Sequence, residues 1–244
     1  MDRKEVAALR DRWESRAREN SMYYIHADRS DWSPLDFLAS GESDVARLVD
    51  PLLPALHASA ATLTALDIGC GLGRLTRALA TRFAQVEGID IAPEMIAQAQ
   101  AFDPLPPTNV RYQVCDGSGA IPLPARAVGF VFSYIVFQHV PTQRIIETYL
   151  REIARVLQPG GLAQIQVNTA TRSLRARLRL GIVPSNRVPL IHHKPKAQWQ
   201  PHSTMGVVLP VGRCRALAAR NGLRLERMTG AHNQYTWLTL RKRA

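Results

Sequence analysis

The 244-residue sequence predicts an α/β fold, a mostly parallel sheet covered by helices on both faces. Three observations predict it. From residue 63 onward, short apolar runs of strand length alternate with helical segments, the rhythm of strand–helix–strand units. The first of these runs passes straight into a glycine-rich turn that opens a helix. The last two runs face each other across a turn at residues 230–233, so a closing hairpin adds an antiparallel strand at the end of the sheet.

The elements follow in order. Residues 2–19 carry Val6, Leu9 and Trp13 at helical spacing within a charged stretch, which predicts an amphipathic helix. Residues 20–41 mix aromatic residues with turn formers and read as irregular or short helical pieces. Ser43 is a plausible N-cap for a helix through Val45, Leu48, Val49, Leu52 and Leu53, shortened by Pro51 and Pro54. Strands are predicted at 63–68, 85–89, 110–115, 128–134 and 162–167, with helices at 73–83, 93–101 and 142–157. Thr142 caps the last helix, and Gln158-Pro159-Gly160-Gly161 ends it. Residues 170–207 break the rhythm with Pro184, Pro189, Pro195 and Pro201 and with His192, His193 and His202, the pattern of a lid or binding segment. A helix at 211–221, ended by Gly222, then precedes strands at 223–228 and 235–240. The organisation is one domain: an N-terminal helical cap (1–62), a ligand-binding core (63–169), a lid or substrate segment (170–209), and a helix and hairpin completing the core (210–244).

Composition closes several doors. Hydrophobic residues at 46% and charged residues at 21% are ordinary for a globular chain and exclude disorder over its length. The net charge of +11 is local: residues 1–170 hold 16 Arg/Lys against 19 Asp/Glu, whereas 171–244 hold 15 against the single acid Glu226. A preference for arginine, 27 Arg to 4 Lys, explains the choice of cation but not the missing acids. Such asymmetry points to an anionic partner. Cys70, Cys115 and Cys214 form no CxxC pair, so neither a disulfide framework nor a metal site is expected, and a reducing, cytoplasmic setting fits. The longest apolar stretch, 127–137, is too short to span a bilayer. The first twenty residues are charged throughout and lack the apolar core of a signal peptide.

The chemistry lies in Asp67-Ile68-Gly69-Cys70-Gly71-Leu72-Gly73. Alternate glycines let backbone pass close to a ligand, and the helix that follows offers N–H groups and partial positive charge to an anion. The second strand ends in Gly88-Ile89-Asp90, where an acid can accept from both hydroxyls of a ribose; the third ends in Cys115-Asp116-Gly117. A nicotinamide or flavin dinucleotide fingerprint, G-x-G-x-x-G/A, fits neither frame: counting from Gly69 puts Arg74 at its last position, and counting from Gly71 puts Thr76 there.

The pattern D-x-G-x-G-x-G instead resembles motif I of the class I S-adenosylmethionine-dependent methyltransferases. The resemblance continues through GID-IAPEMI (88–96), VCDG (114–117), FSYIVFQHVP (132–141) and RVLQPGG (155–161), covering about 63–168 and extending to 210–242. It implies a Rossmann-like, doubly wound, seven-stranded sheet with S-adenosylmethionine as cofactor and S-adenosylhomocysteine as product. It further implies that Asp67, Gly69 and Gly71 shape the pocket for the methionine half and that Asp90 binds the ribose. Ile91 and Met95 would flank the adenine, Asp116 would meet its amino group beside Gly117, and Ser133 and Tyr134 would lie near the transferable methyl. The departure is Ala92, where the family often carries a capping serine, at a cost of about 1 kcal/mol.

In-line methyl transfer depends chiefly on positioning. His139, after the fourth strand, is the candidate base or acceptor-orienting group, with a structural role at the strand-to-helix junction as the alternative. Gln138, Asn168, Tyr23, Tyr24 and His202 are the candidate acceptor contacts, and Trp32 could close over the site or simply pack. The proline pair typical of enzymes that methylate exocyclic base nitrogens is absent from Ser133-Tyr134-Ile135-Val136. A small metabolite, taken at N, O or C, is the expected acceptor, with an anionic character that the basic section would suit. The alternatives are RNA held by that section and an acceptor borne on a carrier protein.

Overall fold

The computed structural model describes residues 3–102, 104, 106–170 and 206–243. Its seven strands form one sheet in the order β3-β2-β1-β4-β5-β7-β6. These are β1 (Thr64–Ile68), β2 (Gln85–Asp90), β3 (Val110–Val114), β4 (Val128–Ser133), β5 (Leu157–Val167), β6 (Leu223–Thr229) and β7 (Thr236–Lys242). The first five are parallel, and β7 runs antiparallel to both β5 and β6. Strands β1 and β4 are fully or nearly fully buried, which is why they read as apolar runs rather than alternating ones.

Helices α2 (Pro34–Leu48) and α3 (Arg74–Leu79) cover one face, where Val45, Val49, Ala78, Leu79 and Phe83 pack on Ala65, Val86, Phe130 and Phe132. On the opposite face, α5 (Gln143–Val156) and α6 (Val211–Arg220) press Ile146, Leu150, Ile153 and Leu217 onto Leu66, Val131 and Ile165. Helix α4 (Pro93–Ala101) packs Ile96 and Ala99 on Tyr112. The order reverses between β1 and β4, and the crevice outside the carboxyl ends of strands at such a point is where α/β sheets bind ligands.

The N-terminal region differs from the sequence reading. Helix α1 runs from Arg3 to Ile25, broken at Asn20 (φ −166°, ψ 85°), whose Oδ1 accepts from the Tyr23 N–H at 3.1 Å and caps a second short piece. Helix α2 starts at Pro34 rather than at Ser43. Its N-cap is Ser33, whose Oγ accepts from Asp36 N at 3.1 Å, with Pro34 at the first turn and Ser43 in the interior. Pro51 and Pro54 then fall in a 3-10 turn, Asp50–Ala55. Helix α3 has only six residues, half the span predicted. Gln158-Pro159-Gly160-Gly161 is not a loop: β5 begins at Leu157, and those residues form a bulge between the pairs Val128↔Leu157 and Phe130↔Leu162. Thr142 does cap α5, accepting from Ile145 N at 3.3 Å.

Helix α4 lacks a side-chain cap at Ala92, but the missing acceptor arrives from eighty residues away. Glu14 of α1 accepts from Glu94 N at 3.0 Å, and Gln98 donates to Ala17 O at 3.0 Å. Helix α1 is thereby moored over the carboxyl edge of the sheet. Glu14→Ala is expected to lower stability by about 1 kcal/mol, roughly 2–4 °C in melting temperature. Glu14→Gln, which keeps an acceptor oxygen, should recover most of that loss in a thermal melt.

Candidate functional site

The glycine loop after β1 turns because Gly69, Gly71 and Gly73 all hold positive φ, at 76°, 51° and 81°. At Gly69 a Cβ would lie 2.2 Å from Val136 Cγ2, and at Gly71 it would lie 2.7 Å from Ile25 Cδ1. The space these glycines leave is thus taken first by the protein's own β4 loop and α1. The turn is closed across the sheet by Asp90, whose Oδ2 accepts from Gly71 N at 2.9 Å and whose Oδ1 accepts from Ala92 N at 3.0 Å. Burial pushes the Asp90 carboxyl above the usual range, and these backbone donors pull against that shift.

Around this turn lies a cleft of about 810 Å³, its open mouth included. Asp90, Gly69, Gly71 and Gly117 line it, and so do Ile91 and Met95. Its deeper wall is apolar, with Cys115, Ile145 and Tyr149. The outer wall comes from α1 through Leu9, Trp13, Tyr24 and Ile25. From the loop after β4 come Tyr134, Ile135, Val136 and His139. Tyr134 is held by stacking on Trp237, ring centroids 5.3 Å apart. Ile135 is a β-branched residue at φ 59°, a backbone state that costs such residues energy and clusters at functional sites. Its N–H donates to Gln166 Oε1 at 3.3 Å, which anchors the strained peptide to β5.

His139 stands edge-on to Trp13, ring centroids 5.5 Å apart, and Gln138 Nε2 lies 3.3 Å from its Nε2. Burial, with Arg16 and Arg12 adding to it, lowers the imidazole to about 4. The ring is therefore neutral at ordinary pH.

Several residues expected at the site face elsewhere. Asp67 is buried behind the loop, its Oδ2 accepting from Thr76 Oγ1 at 2.7 Å; burial pushes its carboxyl up to about 6. Asp116 is exposed and bends back to accept from Ser118 N at 2.8 Å, the local turn bond that aspartate favours. Ser133 is fully buried and donates to Ile68 O at 3.0 Å. Gln138 and Asn168 are buried off the cleft wall, with Asn168 Oδ1 accepting from Ala170 N at 3.0 Å. Tyr23 packs edge-on against Tyr24 rather than reaching the cleft. Trp32 packs on Phe37 and donates to His26 O at 2.7 Å. His202 and most of the predicted lid lie outside the described residues.

Leu9, Trp13 and Ile25 were not legible as site residues. Leu9 and Trp13 carried a signal, the apolar stripe of α1, but nothing local tells which surface such a stripe covers. Tyr149 and Ile145 on α5 carried none.

The cleft suits a nucleoside bearing a charged tail. A buried carboxylate with free lone pairs faces it at Asp90, apolar side chains line its depth, and a glycine turn borders its other end. S-adenosylmethionine fits that donor set: Asp90 would hold the ribose, Ile91 and Met95 the adenine, and the Gly69–Gly71 turn the methionine portion.

Comparison with known proteins follows the same line. Residues 66–165 match the family model described as a methyltransferase domain. The human mitochondrial ubiquinone biosynthesis O-methyltransferase is 34% identical over 138 residues, 55% of this chain. The matched stretch is 36% of that enzyme, so the chain spans about a third of its length. Among solved structures, the magnesium protoporphyrin IX methyltransferase of Synechocystis, crystallised with bound S-adenosylhomocysteine, superimposes with a TM-score of 0.62 at 19% identity, covering 97% of this chain and 99% of that one. The cyclase SpnF superimposes at 0.55 and 17% identity, covering 81% and 80%. Likeness at these identities is likeness of fold, and one fold serves more than one reaction.

Proposed function

We propose that the chain, whose residues 66–165 match a methyltransferase domain and whose fold superimposes on that of an S-adenosylhomocysteine-bound methyltransferase, transfers a methyl group from S-adenosylmethionine to N, O or C of a small metabolite. The observation that carries the reading is the cleft itself. Asp90, the Gly69–Gly71 turn and a deep apolar wall meet at the reversal point of the sheet, with α1 and the strained loop after β4 closing the acceptor side. A cytoplasmic setting belongs to the same proposal, as does the cap formed by 1–62. Among the described residues no helix is long and apolar enough to cross a membrane.

When bound, the cofactor supplies an electrophilic methyl on a sulfonium. The protein's task is to hold the acceptor in line and to keep water from the site. Trp13, Tyr24 and Val136 exclude water from the acceptor end. His139, neutral and set edge-on by Trp13, orients the acceptor through a ring nitrogen; a group whose proton affinity is that low is a weak base at neutral pH. Within the basic section, Arg213 donates to Gln143, while Arg224 and Arg241 pair with Glu226. Part of the charge that invited an RNA reading is thus spent within the fold.

Calorimetry with S-adenosylhomocysteine, followed by methyl-transfer assays over a metabolite panel, tests the proposal. Binding with turnover of a metabolite is expected; no binding would sink it. For His139, the depressed proton affinity sets the sign of the pH dependence. The ring loses its proton above about 4, so kcat/KM should show no His139 limb between about pH 5 and about pH 8. His139→Gln should lower kcat about tenfold while leaving that profile and cofactor affinity unmoved. A limb near neutral pH that vanishes in His139→Gln would assign it instead as a titrating base.

A further inference from the structure

Helix α1 lines the cleft with Leu9 and Trp13, and one turn after Trp13 it carries a half-buried cation, Arg16, beside the buried Ala17. The Arg16 guanidinium sits 4.9 Å from the Trp13 ring centroid and 5.2 Å from that of Tyr24, and both rings line the cleft. Two aromatic faces hold the guanidinium, yet among the described residues it makes no hydrogen bond or ion pair. Its planar edge therefore keeps its donors. Arg12 lies one turn earlier on the same helix, and His139 stands on the other side of Trp13.

This arrangement costs free energy in the absence of a ligand. Burial and the like charge of Arg12 both lower the proton affinity of Arg16, against weaker support from Tyr24 and Glu19. Glu19, the nearest acid in that set, already accepts from the Tyr24 hydroxyl at 2.8 Å. The Asp90 carboxylate is engaged by the Gly71 and Ala92 backbone N–H groups. A planar cation clamped between rings, with a second cation beside it, is the geometry that binds a carboxylate or phosphate by a two-pronged bond.

We propose that Arg16, supported by Arg12, receives an anionic group of the acceptor, so that the substrate is a carboxylate- or phosphate-bearing metabolite oriented between the Trp13–Tyr24 clamp and His139. This deepens the methyltransferase reading and rests on it. It also places the anion preference on the N-terminal helix.

The same chemistry has a second source, the α-carboxylate of the cofactor, and the test separates the two. Protein saturated with S-adenosylhomocysteine is titrated with citrate and, separately, with inorganic phosphate, following heat and tryptophan fluorescence. Citrate should bind and perturb the emission. Arg16→Gln should weaken citrate binding about tenfold, Arg16→Lys by less, and the exposed control Arg151→Gln not at all. S-adenosylhomocysteine affinity should stay within about twofold in Arg16→Gln. Citrate binding unchanged in both Arg16 variants would overturn the proposal, as would a loss confined to S-adenosylhomocysteine, which would assign Arg16 to the cofactor. Failure of the unaltered protein to bind S-adenosylhomocysteine would instead remove the methyltransferase reading itself. Should Arg16→Gln fold poorly, the comparison of Arg16→Lys with Arg151→Gln decides the matter.

Discussion

Asp90→Ala is expected to weaken S-adenosylhomocysteine binding by about 100-fold or more, since a hydrogen bond to a charged group contributes about 1.5–3 kcal/mol and more than one is lost. The same substitution has a second effect that an acid serving the ligand alone would not show. The Asp90 oxygens already accept from Gly71 N and Ala92 N, so alanine orphans two N–H groups beside a buried turn. Each costs about 1–3 kcal/mol where water cannot replace the acceptor. The melting temperature should therefore fall in the ligand-free protein. Asp90→Asn separates the roles. Its single carbonyl oxygen can serve one of the two N–H groups and recover part of the stability, while cofactor affinity stays low because the charge is gone. Calorimetry and thermal melts on the two variants read both quantities; wild-type affinity in Asp90→Ala would remove the ribose assignment.

The second large effect is expected at Gly69. An added Cβ there meets Val136 Cγ2 at 2.2 Å, and the backbone is at φ 76°. Overpacking costs about 1–3 kcal/mol, and left-handed backbone costs a residue with a Cβ about 1–2 kcal/mol more. Gly69→Ala should lower the melting temperature on the order of 10 °C. The double variant Gly69→Ala with Val136→Ala should regain the steric part but not the backbone part, giving a coupling energy that neither single change predicts. Equal melting temperatures for the single and double variants would mean that the β4 loop yields freely.

How far the site could be read in advance follows from the range of each interaction. Strands β1, β2 and β4 and helices α4 and α5 were legible because a run of apolar residues, or an apolar stripe, is a property of neighbours in sequence. The glycine turn and Asp90 were legible for the same reason: a strand end, a turn and a helix start are contiguous. The start of α2 was also written locally, as Ser33-Pro34 with Asp36 following, but the aromatic residues around it masked the signal. The protein partners of the other two acids were not legible. Asp116 takes the local bond to Ser118 N and Asp67 the bond to Thr76, and neither choice shows in a motif.

The sequence by itself therefore determined a mostly parallel α/β sheet, its terminal antiparallel strand, the glycine turn and an acid at the end of β2. Only the tertiary structure decided which surface α1 covers, that Glu14 caps α4 from a distance, and that Trp13, Arg16 and His139 meet at one mouth. Backbone preferences and periodicity act over a few residues and are encoded there. Partner choice among side chains depends on groups eighty to more than a hundred residues apart, and becomes defined only once the sheet has brought them together.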